Sequence, residues 1–426
     1  MLFKGLGKSL GRPLAGVALA VIALLAGCAS PCDAPGRLCA PIQANTSPPP
    51  PRAVQAARPA PQAPPPAAEV LAVDLGSARS QAAPPLATGP LIRIGLMLPL
   101  RSATLGVPAE ALRAGFMAAY ERERDGIAVD VIETGDTPQE ALDAYAAAVG
   151  RNDVLVGPLA RSAVAAVASS PVVSKPTIAL NHPELRGGGA DIPLPQQMLV
   201  MGLSIEDEAR QAANWASAEQ PGATALIVSG ASAWQRRIAN AFAAQWKQRG
   251  QPYQLLEVPA SNGYLAEAAL GQLKARIEAD RPALLFAALD ADQVRQLRAA
   301  VGTSLPCYGT SSVNPGTEPG LSNLEMDGLR LLDMPWEVQP DHAAAMVYPR
   351  WIGTPRTLDM DRLYALGIDA YRVAREIALH PGASFRMDGV TGRLQVSFGK
   401  GAPRFERILP AAVYQGGAFQ LVGGTP

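Results

Sequence analysis

Few residues in this 426-residue chain have the types and spacing of a catalytic site. Ser397 and Lys400 match the Ser-x-x-Lys spacing of penicillin-recognising enzymes, in which the serine is the nucleophile. They fall in a predicted strand and the turn after it, not at a helix start, and no Lys-Thr-Gly accompanies them, so we interpret the match as coincidence. Asp359 and Asp361 lie just before a predicted long helix, whose positive end favours acidic residues, and a hydrolase pair is the less favoured interpretation.

Other side chains that could react or hold a ligand are scattered. Beyond the first 27 residues the sequence contains no Gly-x-Ser-x-Gly motif, and the whole sequence contains no phosphate-binding loop and no paired-histidine helix. Its 4 cysteines and 3 histidines are too dispersed for a zinc site, and Cys307, beside an apolar strand, is more typical of a buried thiol than of a nucleophile. The glycine triplet at 187–189 has no strand before it, which indicates flexibility and not a dinucleotide-binding turn. We therefore predict no enzymatic activity, no metal and no cofactor.

The composition also excludes nucleic acid as a partner. Lysine plus arginine and aspartate plus glutamate each number 37, which gives a formal net charge of zero, whereas nucleic-acid binding needs a clustered basic surface. Aromatic residues make up 5% of the chain, which is sparse for stacking on bases. The hydrophobic fraction of 48% is typical of a globular chain with a sizeable core.

The first 27 residues are typical of an export signal. Three basic residues precede an apolar run at 14–26, which is too short to cross a bilayer as a helix and is typical of a secretory signal. The run ends in Leu-Ala-Gly before Cys28, which resembles the lipobox of bacterial lipoproteins. The resemblance implies that residues 1–27 are removed and that Cys28 carries acyl chains, palmitate among them; the alternative is an ordinary signal with an incidental cysteine. Because Ala29 is not acidic, the resemblance implies sorting to the outer membrane, with the chain facing the periplasm.

Residues 28–90 are predicted to be a disordered tether. The stretch 31–90 contains 15 prolines in 60 residues and no aromatic residue, so it favours extended polyproline conformations and cannot build a core. Cys32 and Cys39 lie in it, and in an oxidising periplasm they could pair, remain free or form mixed disulfides.

From residue 91 onward, short apolar strands alternate with helices of 10–17 residues. This order is typical of parallel sheets covered on both faces, and its two series predict an α/β fold with two doubly wound lobes around a hinged cleft. We expect lobe 1 to contain 91–202 and about 327–390, and lobe 2 to contain 203–326 and about 391–426, with terminal antiparallel strands packed on one lobe. Strands are predicted at 91–100, 127–133, 153–156, 177–180, 223–228, 253–258, 283–287, 393–397, 405–414 and 418–422, and helices near 112–120 and at 138–149, 162–169, 205–218, 234–249, 264–278, 291–300 and 358–379.

Several stretches of this module resemble the type I periplasmic binding-protein superfamily, and more narrowly the LppC family of LpoA-type lipoproteins. The stretches are IGLMLPL, AEALRAGFMAAY, DVLVGPLARSAV, PTIALNHPE, GLRLLDMPW, RLYALGIDAYRVA and GVTGRLQVS. Well-known members carry a helical-repeat domain before this module, whereas here only the proline-rich stretch precedes it. Roles of that domain are therefore not carried over.

The resemblance implies a type I periplasmic-binding-protein-like fold and a non-enzymatic role in regulating peptidoglycan synthesis for the cell wall and cell shape. It implies binding and activation of a class A penicillin-binding protein, a peptidoglycan synthase, by a population shift toward its active state. The alternative is a periplasmic solute-binding lipoprotein, the amino-acid or peptide receptor of an ABC-type transporter, and whether a small molecule binds stays open. A weaker third hypothesis is an enzyme acting on wall fragments.

Polar and aromatic side chains that follow the strands are candidates for the cleft, because ligands of such sheets bind beyond the carboxyl ends of the strands. In amino-acid-binding relatives a hydroxyl at the position of Ser162 holds a ligand carboxylate; the simpler explanation, which we favour, is that Ser162 caps its helix. Trp234 could stack on a ligand or plug the crevice. The full candidate set is Arg101, Ser102, Ser162, Asn181, His182, Trp234, Asp290 and Ser311.

Overall fold

The computed structural model describes residues 91–184, 193–316, 324–399 and 401–423. The predicted signal and tether, with Cys28, Cys32 and Cys39, lie outside the described residues, as do the 187–189 glycines and Lys400. None of the helices in the described ranges combines the length and apolarity needed to cross a membrane.

The first lobe is built on a parallel five-stranded sheet. Its strands are β1 (Ile92–Leu98), β2 (Ile127–Glu133), β3 (Val154–Val156), β4 (Thr177–Ala179) and β5 (Met198–Val200), in the order β2-β1-β3-β4-β5. Helices α1 (Gly106–Arg122), α2 (Pro138–Val149) and α3 (Arg161–Ala168) connect the first four strands. Strand β3 is apolar and buried throughout, and β1 is apolar and buried from Ile94 to Leu98, because helices cover both faces of a parallel sheet.

The second lobe continues the same alternation. Its first elements are α4 (Ile205–Glu219), β6 (Ala225–Ser229), α5 (Ala233–Gln248), β7 (Tyr253–Glu257), β8 (Ala260–Ser261), β9 (Tyr264–Leu265) and α6 (Glu267–Asp280). They are followed by β10 (Leu284–Ala288), α7 (Ala291–Val301), β11 (Cys307–Gly309), β12 (Leu329–Leu332) and α8 (Pro335–Val338), with short 3₁₀ turns at Ser311–Val313 and Leu324–Met326. Strands β6, β7, β10, β11 and β12 pair in parallel. Cys307 is buried as predicted, and burial raises the pKa of its thiol.

The last part of the chain returns to the first lobe and then to the second. Helix α9 (Leu358–Leu379) has the predicted bounds, and β13 (Ser384–Gly389), β14 (Gly392–Ser397) and β15 (Arg404–Ile408) form a separate antiparallel sheet. Strands β16 (Ala411–Gln415) and β17 (Ala418–Leu421) then complete the second sheet, in the order β17-β16-β12-β11-β10-β6-β7. The single strand predicted at 405–414 is therefore two strands, separated at Leu409-Pro410, because proline cannot donate to a central ladder.

Two of the expected lobe boundaries differ from the structure. Strand β12 was assigned to lobe 1 by the boundary near 327, but it pairs with β11 and β16 in the second sheet. Of the stretch 391–426, β16 and β17 join the second sheet, whereas β15 contacts β5 of the first lobe. An apolar strand pattern does not specify which sheet it joins, since both sheets bury the same residue types. The α/β fold with two lobes and parallel sheets is confirmed.

Helix α9 is fixed to the first lobe by unusually close packing on α1. A Cβ atom at Gly367 would lie 2.0 Å from the carbonyl oxygen of Leu112, and one at Gly115 would lie 1.9 Å from that of Tyr364. Glycine is therefore required at both positions for the two backbones to approach. The resulting apolar core is continuous, because one cluster of buried side chains includes Ile94 of the first sheet and Phe286 of the second.

Candidate functional site

The candidates that follow β1 and β3 serve their own lobe. Ser102 accepts hydrogen bonds from the backbone N–H groups of Leu105 (2.8 Å) and Thr104 (3.2 Å), and its hydroxyl donates to Asp136, so it organises the start of α1. Arg101 is exposed and forms an ion pair with Glu140. Ser162 is the second residue of α3, and the residue preceding that helix, Ala160, makes no side-chain cap, so the expectation that Ser162 caps the helix is wrong.

The candidates that follow β4 lie where the chain approaches the second lobe. The Oδ1 atom of Asn181 accepts a hydrogen bond from the backbone N–H of His182 at 2.9 Å. Burial lowers the pKa of His182, and the nearby carboxylates of Asp207 and Glu206 only partly offset this, so the imidazole is neutral near pH 7.

Two candidates of the second lobe, Trp234 and Asp290, lie at the starts of neighbouring helices. Asp290 caps α7 in a reciprocal arrangement with Gln293, and α5 begins with a similar arrangement between Ser232 and Gln235. The two glutamines meet, since Nε2 of Gln235 donates to Oε1 of Gln293 at 2.6 Å. Burial raises the pKa of Asp290, and Trp234 packs against the shared apolar core. These strand ends therefore satisfy their own hydrogen bonds instead of offering free groups to a ligand.

A largely buried ionic network bridges the lobes. Nη2 of Arg362, near the start of α9, donates to Oδ2 of Asp333 at 2.7 Å and to the backbone oxygen of Ser311 at 2.9 Å. The backbone N–H of Ser311 donates to Glu208 of α4 at 2.9 Å, and Asn314 donates to Asp333 at 2.8 Å. We call these five residues, Glu208, Ser311, Asn314, Asp333 and Arg362, the interlobe network. It links α9, which packs on the first lobe, to β11, β12 and α4 of the second.

The network is electrically balanced around one arginine. Burial alone would lower the pKa of Arg362, but the charge of Asp333 and its hydrogen bond outweigh this and raise it. Burial and the charge of Asp333 raise the pKa of Glu208 to about 7 and that of the neighbouring Glu337 to about 8, although Arg362 counteracts both shifts. At neutral pH Glu208 is therefore partly protonated, and Arg362 and Asp333 form the buried ion pair of the network.

Sequence reasoning found Ser311 in this network but missed the other four members. The acidic first turn of α4, which contains Glu208, looks like ordinary helix-end chemistry. Asp333 and Arg362 are 29 residues apart, and no local periodicity joins them. The one available signal was charged residues within otherwise apolar stretches, because such residues are seldom buried without a partner.

Two cavities adjoin the segments that connect the lobes. The first has a volume of about 420 Å³ and lies between α4, the ends of β5 and β12, and β15. The second, of about 780 Å³, lies on the other side of His182, beside β14 and β15. Of the eight cleft candidates, His182 lines both cavities and the other seven line neither. The structure thus does not bring the predicted set together around either space.

The structure describes three of the four residues with catalytic spacing, Ser397, Asp359 and Asp361. Ser397 lies in β14, and its hydroxyl is 3.0 Å from that of Ser384 in the paired strand β13. Asp359 and Asp361 are in the first turn of α9, and Asp359 is 3.3 Å from Arg362. Within the described ranges, no cluster of three or more histidine, cysteine or acidic side chains could hold a metal ion.

Relatives with curated names share this module over part of their length. The "Penicillin-binding protein activator LpoA" of Haemophilus ducreyi is 26% identical over 316 residues, which is 71% of this chain and 50% of the relative. The protein of the same name from Yersinia pseudotuberculosis is 26% identical over 317 residues, 63% of this chain and 46% of the relative. The chain thus spans about half the length of these curated relatives.

Solved structures agree with the fold. A "putative branched-chain amino acid ABC transporter" from Chromobacterium violaceum is 34% identical, with a TM-score of 0.62 over 76% of this chain and 100% of that one. The LpoA (YraM) C-domain from Haemophilus influenzae is 23% identical, with a TM-score of 0.61 over 78% of this chain and 99% of that one, and supports the fold alone. A family model described as "LppC putative lipoprotein" matches residues 81–417. Since that match covers most of the 426 residues, the chain belongs to the LppC family.

Proposed function

We propose that this chain is a non-enzymatic outer-membrane lipoprotein that binds and activates a class A penicillin-binding protein. The curated relatives are named activators of penicillin-binding proteins, and the Haemophilus influenzae C-domain is titled a regulator of PBP1A. That C-domain is matched over 99% of its length by this chain, so the comparable part is present.

The observation that carries the proposal is the interlobe network. A receptor that closes on a solute needs convergent polar groups with unused hydrogen-bonding capacity. Here Arg362 and Asp333 occupy that position, with 9% and 1% of their surfaces exposed, and each is bonded to protein groups on the opposite wall. Breaking such a pair to admit a solute would cost about 3–5 kcal/mol before any new contact formed. The crevice is therefore better suited to hold the lobes together than to trap a metabolite.

Fixed lobes fit the task of an activator. A rigid surface that binds the active conformation of a synthase more tightly than the idle one shifts the population toward activity. A difference of about 1–3 kcal/mol between the two affinities changes activity about 5- to 150-fold. Such a surface loses little conformational entropy on docking, because the lobes are already ordered relative to each other.

The anchor and tether complete the proposal, although they lie outside the described residues. Acyl chains on Cys28 would hold the module at the outer membrane, since about 0.8 kcal/mol is gained per buried methylene group. Residues 28–90 would then act as a spacer, so the distance between membrane and wall would set the effective concentration of the module at its partner.

Two binding measurements on the full chain test the proposal against the solute-receptor alternative. Affinity-tagged chain is incubated with each purified class A synthase of its own cell, and bound synthase is quantified; in parallel, branched-chain amino acids are titrated calorimetrically. We expect the tagged chain to capture a class A synthase, and we expect no heat of binding when the amino acids are titrated. Retention of leucine without capture of any class A synthase would overturn the proposal and favour the receptor.

A further inference from the structure

The first cavity has an apolar wall and a mouth of balanced charge. Leu203, Trp215, Met334 and Phe405 contribute apolar surface to its wall. The exposed charged side chains around it are two acidic and two basic ones, Asp207, Glu406, Arg210 and Arg249. A volume of about 420 Å³ is in the range of small-ligand sites. The less exposed part of its wall carries the carboxylate of Glu208, which is bonded to Ser311, and a single positive charge.

That charge is the guanidinium of Arg407 on β15. Its Nη1 donates to the backbone oxygen of Gly202 at 3.0 Å, its Nη2 to that of Met201 at 3.1 Å, and its Nε to the hydroxyl of Thr391 at 3.1 Å. A guanidinium has five N–H groups, so two are left over. In the part of the chain that the structure describes, no carboxylate oxygen lies within the 4.0 Å that defines an ion pair with Arg407.

The three acidic side chains whose charges raise the pKa of Arg407 have hydrogen-bond or ion-pair partners other than Arg407. Asp207 pairs with Arg210, and Glu208 accepts from Ser311 within the interlobe network. The third, Asp369, accepts from the N–H and hydroxyl of Thr391 at 2.8 and 2.7 Å and pairs with Arg372 at 3.2 Å.

Arg407 is consequently a half-buried cation without a carboxylate at ion-pair distance in the described part of the chain. Burial lowers its pKa to about 10, and the distant carboxylates offset this only in part. The group is still charged at neutral pH, and an uncompensated charge away from water is costly unless an anion binds it. By contrast, Arg210, Arg362 and Arg372 each have a carboxylate within ion-pair distance.

We propose that this cavity binds a small organic carboxylate with an apolar body and no amino group, since an α-ammonium would lie beside the guanidinium, and that the two unused N–H groups of Arg407 hold its carboxylate. Arginine and carboxylate suit each other because two parallel hydrogen bonds form between planar groups. The apolar body of the ligand would lie against Trp215 and Leu203. The site lies beside the connecting segments 200–204 and 405–409 and is separate from the cleft candidates, of which it includes His182 alone. The carboxylate site does not depend on the proposed synthase partner, because carboxylate binding and synthase binding are measured separately and either proposal can be refuted without the other.

The test compares charged and neutral forms of one probe on the full chain in detergent. Hexanoate and hexanamide are titrated by calorimetry into the parent protein, Arg407→Lys and Arg404→Gln. Arg404 is the matched control, since it is an exposed arginine of the same strand that lines the second cavity and not the first. We expect hexanoate to bind the parent and the control equally, and to bind Arg407→Lys about tenfold or more weakly, because the paired hydrogen bonds to a charged group are lost.

A second variant covers the case in which Arg407→Lys does not fold. Leu203→Trp keeps the arginine but fills the cavity, and it should also abolish hexanoate binding while leaving the interlobe network intact. The proposal is overturned if hexanoate does not bind the parent protein, if hexanamide binds as well as hexanoate, or if Arg407→Lys and Leu203→Trp, when folded, bind like Arg404→Gln.

Discussion

Replacing Arg362 with methionine should weaken the chain more than removal of almost any surface charge. The change leaves Asp333, which is 1% exposed, without its cation, and leaves the backbone oxygen of Ser311 without its donor. Removing one partner of a buried pair costs about 3–5 kcal/mol. Asp333 keeps hydrogen bonds from Asn314 and from the backbone N–H of Met334, both 2.8 Å long, so we expect the lower end, about 3 kcal/mol.

The assay is urea unfolding of the full chain, monitored by tryptophan fluorescence. The dependence of the unfolding free energy on urea concentration is compared with that of the parent, to confirm that the same amount of surface is exposed on unfolding. Adding Asp333→Asn to Arg362→Met should restore about 1–2 kcal/mol, because no buried charge is then left unpaired. Arg210→Met is the matched control: its ion pair with Asp207 is exposed, and such pairs contribute less than about 1 kcal/mol. If Arg362→Met and Arg210→Met unfold at the same urea concentration, the interlobe network does not hold the lobes together.

Three further changes test other parts of the account. The pKa of Glu208 is raised to about 7 in the folded chain, so the stability of the parent is highest below the unfolded pKa and is lost as pH rises through 7. The free energy of unfolding of Glu208→Gln should therefore rise relative to that of the parent by up to about 2 kcal/mol between about pH 5 and about pH 8. A difference independent of pH would contradict this. Gly367→Ala should lower the free energy of unfolding by about 1–3 kcal/mol, because it forces α9 away from α1. Its control, Gly271→Ala on the open face of α6, should raise the free energy of unfolding by about 0.5–1 kcal/mol. Equal thermal unfolding midpoints for the two variants would refute the packing argument. Cys28→Ala should move the protein from the membrane to the soluble fraction on cell fractionation, and retention in the membrane would show that the anchor lies elsewhere.

The sequence predicted what depends on local pattern. Helix α9 begins and ends at the predicted residues because an apolar stripe runs along its length, the side chain of Thr357 caps its start, and Pro381-Gly382 ends it. The alternation of strands and helices predicted two parallel sheets, since such connections leave few other topologies. Strand β13 was missed because its alternating exposed pattern is weak, and its partner β14 was predicted from a stronger one.

What the sequence did not predict depends on contacts between distant segments. The cleft candidates were chosen because each follows a strand, but the strand ends are filled by reciprocal caps such as Asp290 with Gln293 and by Arg362 from another helix. Likewise, the cavity beside Arg407 is assembled from five separate parts of the chain, so no single motif marks it.

The most direct test of the central claim is the rate of glycan polymerisation by a purified class A penicillin-binding protein with and without the full chain. The account predicts a rate increase that saturates with added chain and lies within about 5- to 150-fold, and no product from the chain alone. An unchanged rate at saturating concentration, with every class A synthase of the same cell, would contradict it.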